Sequence, residues 1–191
     1  MKIIGLNFGE FNSSAAVCLD SKIIAGAAEE RFTRHKKTKA FPHNAFNFCL
    51  NYINCDIQEV DAVAQAWNPG AKWIKYNPLI SSTRIKREDY FYSVPDNLFK
   101  YLKNRSEPDY VIQNISGNMP DIYFVKHHLC HAANAFFLSS FNNAAFLTAD
   151  WQGEMESITR GFARGNEIEI LDVQWVPNSL GMFYATFTEI L

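Results

Sequence analysis

Three histidines fall within five residues, at His127, His128 and His131, and Asp150 closes the next apolar run. Leu129, Ala132, Ala133, Phe136 and Phe137 carry the apolar spacing of a helix that starts near His128 and sets His127 and His131 four apart on one face. Side chains at that spacing stand about 5–6 Å apart at Cβ, close enough to share one metal ion. The stretch from Asn143 to Asp150 reads as a buried strand, and its terminal carboxylate completes a set of two nitrogens and one oxygen. His128 is expected to point elsewhere and to pack or support. On spacing alone the alternative is a histidine pair at a helix start and an aspartate that only ends a strand.

A zinc-protease helix is excluded. That motif needs a glutamate directly after its first histidine to activate water, and here the following residues are His128, Leu129 and Cys130. A metal at this place orients or polarises a substrate. Imidazole and carboxylate together suit Fe, Mn or Zn, and two histidines make Mg a poorer match.

The elements that must hold these residues are legible in the 191-residue chain, which suits one domain or little more. Hydrophobic residues make up 48%, with 16 phenylalanines, enough for a sizeable core. A net charge of −2 and a pI near 6.2 argue against nucleic acid as a partner. Arg31, Arg34, Lys36, Lys37 and Lys39 form the one dense basic run, either a solvated face or an anion site. Cys18, Cys49, Cys55 and Cys130 form no C-x-x-C pair, which fits reduced thiols and a cytoplasmic setting. No signal-peptide pattern and no membrane-length apolar run is present.

Three short strands are expected at Lys2 to Asn7, Ser14 to Leu19 and Lys22 to Glu29, with a tight hairpin at Asp20-Ser21. Phe41-Pro42 opens a helix, Asp61 to Trp67 is a fourth strand, and Asn68 to Pro120 reads as an insertion or lid. A fifth strand, Ile122 to Lys126, delivers the chain to the histidine helix. The opening pattern then returns: strands at Ala144 to Asp150, Ser157 to Ala163 and Glu167 to Trp175, then a helix from Ser179 still running at Leu191. We read this as a duplicated architecture with its second copy cut off, the first subdomain over 1–141 and the second over 142–191. Leu180, Phe183, Tyr184 and Phe187 are expected to be exposed on that last helix. The turns after the two first strands, Gly9 with Ser13 and Gly153 with Glu154, are expected on facing turns of a cleft, binding nucleotide phosphate. A glycine at such a place is otherwise just a turn.

These motifs together resemble the nodulation-type O-carbamoyltransferase family. The resemblance is carried by Ile4-Gly-Leu-Asn7, Ser14-Ala-Ala-Val17, Ala27-Ala-Glu-Glu-Arg-Phe-Thr-Arg34, Phe41-Pro42, His127-His-Leu-Cys-His-Ala-Ala133, Leu147-Thr-Ala-Asp-Trp-Gln-Gly-Glu154 and Ser179-Leu-Gly-Met-Phe-Tyr184. It covers nearly everything except 68–120. The resemblance implies an α/β fold of the actin-like, sugar-kinase-like (ribonuclease H-like) type, and kinship with the tRNA threonylcarbamoyl transferases. It implies an enzyme that joins carbamoyl phosphate and ATP into a carbamoyl-adenylate and passes the carbamoyl group to a hydroxyl of a sugar or natural product. It assigns His127, His131 and Asp150 to a metal that binds the nucleotide's phosphate. A further aspartate ligand and a second domain are expected in the remainder of the same polypeptide.

Two positions depart from the family pattern. Its first-loop histidine, which serves carbamoyl transfer, is replaced by Phe11, a side chain that can neither accept nor donate a proton. Trp151 follows the metal aspartate where the family commonly has glycine. Two other readings share the sequence: a sugar-kinase-like phosphotransferase, and an inactive metal- or nucleotide-binding module.

Overall fold

The computed structural model describes residues 1–9, 12–66, 110–112 and 120–191. These form two compact units, Met1–Ala66 with the strands that end at Val125, and Lys126–Leu191. Each is described by itself.

The first unit is a mixed sheet. β1 (Lys2–Asn7), β2 (Ser14–Leu19) and β3 (Lys22–Ala28) form an antiparallel meander. β4 (Ala62–Gln65) and β6 (Asp121–Phe124) add in parallel to the other edge of β1, and β5 (Tyr110–Ile112) closes the far edge antiparallel, giving the order β3-β2-β1-β4-β6-β5. Asp20 and Ser21 turn the β2–β3 hairpin with φ of 48° and 65°, left-handed values that match the twist of the strands they join. Alternation does the rest. Ile4 and Leu6 pair with Val17 and Ala15, and all four side chains are buried on one face. α2 (His43–Tyr52) covers that face with Ala45 and Cys49, after a one-turn helix α1 (Glu30–Thr33) inside the basic run.

The second unit is a three-stranded antiparallel meander, β7 (Asn143–Ala149), β8 (Glu156–Arg164) and β9 (Glu167–Trp175). α3 (His127–Phe137) packs on β7 and β8, burying His128, Ala132 and Phe136. That packing moves the boundary. The histidine helix groups with the second sheet, so the division falls at Val125, not near residue 141. α4 (Leu180–Ile190) starts at the N-cap Ser179, whose Oγ accepts from the Met182 amide. Leu180, Phe183, Tyr184 and Phe187 are exposed, as the sequence led us to expect.

The bounds of β1, β2 and β9 are as expected, and those of the other expected strands differ by one or two residues at an end. Of the stretch read as an insertion, β5 and the buried Pro120 are described. The rest of it lies outside the described residues.

Candidate metal centre

α3 begins at the first histidine. Its N-cap, Lys126, supplies no side-chain bond to the free amides that every helix start presents. Glu154 does this instead. It is 1% exposed, and both of its carboxylate oxygens lie 3.1 Å from the His127 amide, which donates to them. A carboxylate at a helix N-terminus also meets the favourable end of the helix dipole.

His127 and His131 then stand on one face, with ring centroids 4.5 Å apart. Asp150, just beyond β7, completes the group. Its Oδ2 is 2.8 Å from His127 Nε2 and 3.2 Å from His131 Nε2, and the two nitrogens are 3.0 Å apart. Its Oδ1 accepts from the Trp151 amide at 2.7 Å, which fixes the carboxylate plane so that one oxygen faces the histidines. Burial alone would push the Asp150 carboxyl up, but hydrogen bonds from His127, the Trp151 amide and His131 outweigh it and hold the group below its ordinary value.

Two imidazole nitrogens and a carboxylate oxygen converging within hydrogen-bond distance of one another fit a cation. Ligands about 2.1 Å from an ion lie about 3.0 Å apart when adjacent in an octahedron and about 3.4 Å apart in a tetrahedron. The observed separations of 2.8, 3.0 and 3.2 Å are short enough for the three atoms to share one ion. Among the described residues, these three form the one group of histidine, cysteine or acidic donors close enough to hold an ion.

His128 points away from the other two and is buried. Its Nε2–H donates to the Glu156 carbonyl at 3.1 Å, its Nδ1 accepts from the Thr148 hydroxyl at 2.7 Å, and Thr148 bonds Thr159 at 2.6 Å. Burial, helped by the neighbouring His127, pushes its pKa down and keeps the ring neutral. Gly153 is required by that ring: a Cβ there would stand 2.7 Å from His128 Cδ2.

The residues expected to bind phosphate have partners within the protein. The Gly9 amide donates to the Lys39 carbonyl, the Ser13 amide to Thr38, and the Gly153 amide to Glu156, so these donors are engaged inside the protein. The Ser13 hydroxyl is buried and donates toward the Thr38 and Ala40 carbonyls. Glu154 caps α3. Gly153 packs tightly on His128, whereas Gly9 has open space about it and serves a turn with φ of 97°. Phe11 lies outside the described residues. Trp151 is half exposed, with its backbone held by the Ser179 hydroxyl on its carbonyl and by Gly181, where a Cβ would come within 2.4 Å of the Trp151 nitrogen.

Sequence reasoning did not foresee that two glutamates, Glu29 and Glu154, are buried as helix caps. Glu29 accepts from the Asn44 amide, the Asn44 side chain and the Ala45 amide, at 3.2, 2.6 and 2.8 Å, and so caps α2. Glu154 does the same for α3. The available signal was the absence of Ser, Thr, Asp or Asn directly before either helix: Pro42 and Lys126 cannot cap.

Residues 2–191 match the family described as carbamoyltransferase N-terminus. The chain belongs to that family. It is 26% identical over 174 residues to nodulation protein NolNO of Sinorhizobium fredii, covering 91% of this chain and 24% of that protein. It is 29% identical over 204 residues to the uncharacterized protein sll1178 of Synechocystis, covering 97% of this chain and 31% of the relative. An uncharacterized Methanocaldococcus jannaschii protein, MJ1051, is 28% identical over 189 residues, 99% of this chain and 30% of the relative. The chain thus spans under a third of the length of these relatives. Among solved structures it is similar to YeaZ from Pseudomonas aeruginosa at 12% identity and a TM-score of 0.44, covering 93% of this chain and 68% of that one, a likeness too loose to bear on function.

Proposed function

We propose that this chain is the metal-bearing amino-terminal part of an O-carbamoyltransferase that uses ATP and carbamoyl phosphate to form carbamoyl-adenylate and then carbamoylates a hydroxyl of a sugar or natural product. The observation that supports it is the triangle of His127 Nε2, His131 Nε2 and Asp150 Oδ2 in a member of the carbamoyltransferase family. The three residues would hold a first-row divalent ion. Imidazole and carboxylate together suit Fe, Mn or Zn, and the oxygen-loving Mg fits two imidazoles poorly.

When bound, the ion supplies Lewis-acid neutralisation of phosphate charge. The protein's own share is geometric. Glu154 and His128 seat the first turn of α3 on β7 and β8, and the Trp151 amide turns Asp150 toward the histidines. His131 is half exposed, so a ligand arrives from solvent on that side. Transfer to the acceptor is positioning chemistry, in which the hydroxyl is held in line with the carbamoyl carbon. Among the described residues no helix is long and apolar enough to cross a membrane, and the four cysteines are free thiols, in keeping with a cytoplasmic enzyme.

The test is to incubate the whole polypeptide with ATP, carbamoyl phosphate and the divalent ion and to follow carbamoyl-AMP by mass spectrometry. Formation that stops in His131→Ala supports the proposal. ADP with a phosphorylated acceptor would identify a kinase instead. No turnover with intact metal binding would identify a binding module, the reading that Phe11 favours.

A further inference from the structure

The first ligand of the triad sits at the most fragile place a helix offers. His127 is the first helical residue, where amides lack intrahelical partners and fraying begins, and Lys126 before it provides no cap. Opening of one turn would take His127 out of its four-residue relation to His131 while Ala132 and Phe136 stayed buried behind it. The fold would persist and the triad would not.

Glu154 stands against that opening. Its buried carboxylate takes the His127 amide with both oxygens, and it sits on the β7–β8 loop that also carries Asp150. One loop therefore presents the third ligand and fastens the first. We infer that Glu154 is a positioning residue for the metal: it is not one of the three ligands, and acts through the backbone of His127 to keep both histidines in register with Asp150. This rests on the metal-binding reading above and goes beyond it in assigning the loop a clamping role. Outer groups that orient metal ligands typically change affinity by about 10- to 100-fold when removed.

A cap that served the fold alone would give a different pattern, and Glu29 supplies the comparison. It is equally buried on the start of α2, where no ligand follows. The experiment titrates the whole polypeptide with Co²⁺, following visible absorption for affinity and the melting temperature of the metal-free protein for stability. Glu154→Ala is expected to bind Co²⁺ about 10- to 100-fold more weakly, while Glu154→Gln, which keeps an acceptor for the His127 amide, stays within about threefold of the wild type. Glu29→Ala is expected to lower the melting temperature and leave Co²⁺ affinity unchanged. If Glu154→Ala does not fold, Glu154→Asp, one methylene shorter, is expected to show the same weakened binding. Unchanged affinity in the folded Glu154 variant, or an equal loss in Glu29→Ala, overturns the inference. A wild type whose Co²⁺ binding is absent, or is indifferent to His131→Ala, overturns the metal reading itself and this inference with it.

Discussion

The two units are built on one plan and loaded differently. Each has a first strand, a turn, an antiparallel hairpin and a helix, and each uses a buried serine, Ser13 or Ser157, to tie the second strand to carbonyls of the segment before the next helix. Each also buries a glutamate against a helix start. In the first unit Glu29 caps α2, whose Ala45 and Cys49 complete an apolar core with Ile4 and Val17. In the second unit Glu154 caps α3, and the capped residue is a histidine aimed at Asp150. The second unit keeps buried polar groups, His128, Thr148, Thr159 and Ser157, where the first keeps aliphatic side chains. The same device stabilises a core in one place and a constellation in the other.

The sharpest way to break this comparison is to remove a ligand. His131→Ala should weaken divalent-metal binding by more than about 100-fold, exceeding the effect of any supporting group, yet scarcely move the melting temperature, because that side chain is half exposed. Calorimetric titration with Mn²⁺ or Co²⁺ measures the first, and differential scanning calorimetry of the metal-free protein the second. Treatment with a chelator should mimic the variant.

Next comes the cap of the first unit. Glu29→Ala leaves two backbone amides and the Asn44 side chain without their acceptor in a buried place, and should cost about 2–3 kcal/mol of stability with no change in metal affinity. Its pH signature has a definite sign. Burial pushes the Glu29 carboxyl up, but the Ala45 amide and the Asn44 donors outweigh it, so the native group titrates below the 4.5 of an ordinary glutamate. Between those two values the unfolded chain binds more protons than the native one. The stabilisation is therefore complete above pH 4.5 and lost as pH falls through the lower native value. Urea denaturation between pH 3 and 6 should show that slope in the wild type and a flatter curve in Glu29→Gln.

Gly153→Ala belongs to the second unit and should cost about 1–3 kcal/mol, since the new methyl must displace the His128 ring from Thr148 and Glu156. Metal affinity should fall with it. If stability drops while affinity holds, His128 anchors the sheet alone. The smallest effect is expected at the exposed Arg160–Asp172 pair on β8 and β9: despite a 2.8 Å contact, Arg160→Ala should change stability by less than about 1 kcal/mol.

Much of this was legible in the chain because strands and helices write their periods into it. Ile4, Leu6, Val17 and Ala15 alternate as a half-buried sheet requires, and the i, i+4 histidines followed by apolar residues gave both the helix and the two rings that meet Asp150. The loops were read less well. A glycine at a turn looks alike whether it admits a phosphate or an imidazole, and only coordinates reveal that Gly153 faces His128. Glu154 was read only as part of the turn after β7, because its burial depends on a helix start 27 positions away. The grouping of α3 with the second sheet was hidden for the same reason: packing partners carry no sequence period.

The triad has a short contour along the chain. His127 and Asp150 are 23 positions apart, with one helix and one strand between them, and Glu154 follows at once. Closing so small a loop sacrifices little chain freedom compared with bringing distant segments together. Contacts of this range are also the ones that form fast. The three side chains can thus meet early in folding, before pairings of longer range are made.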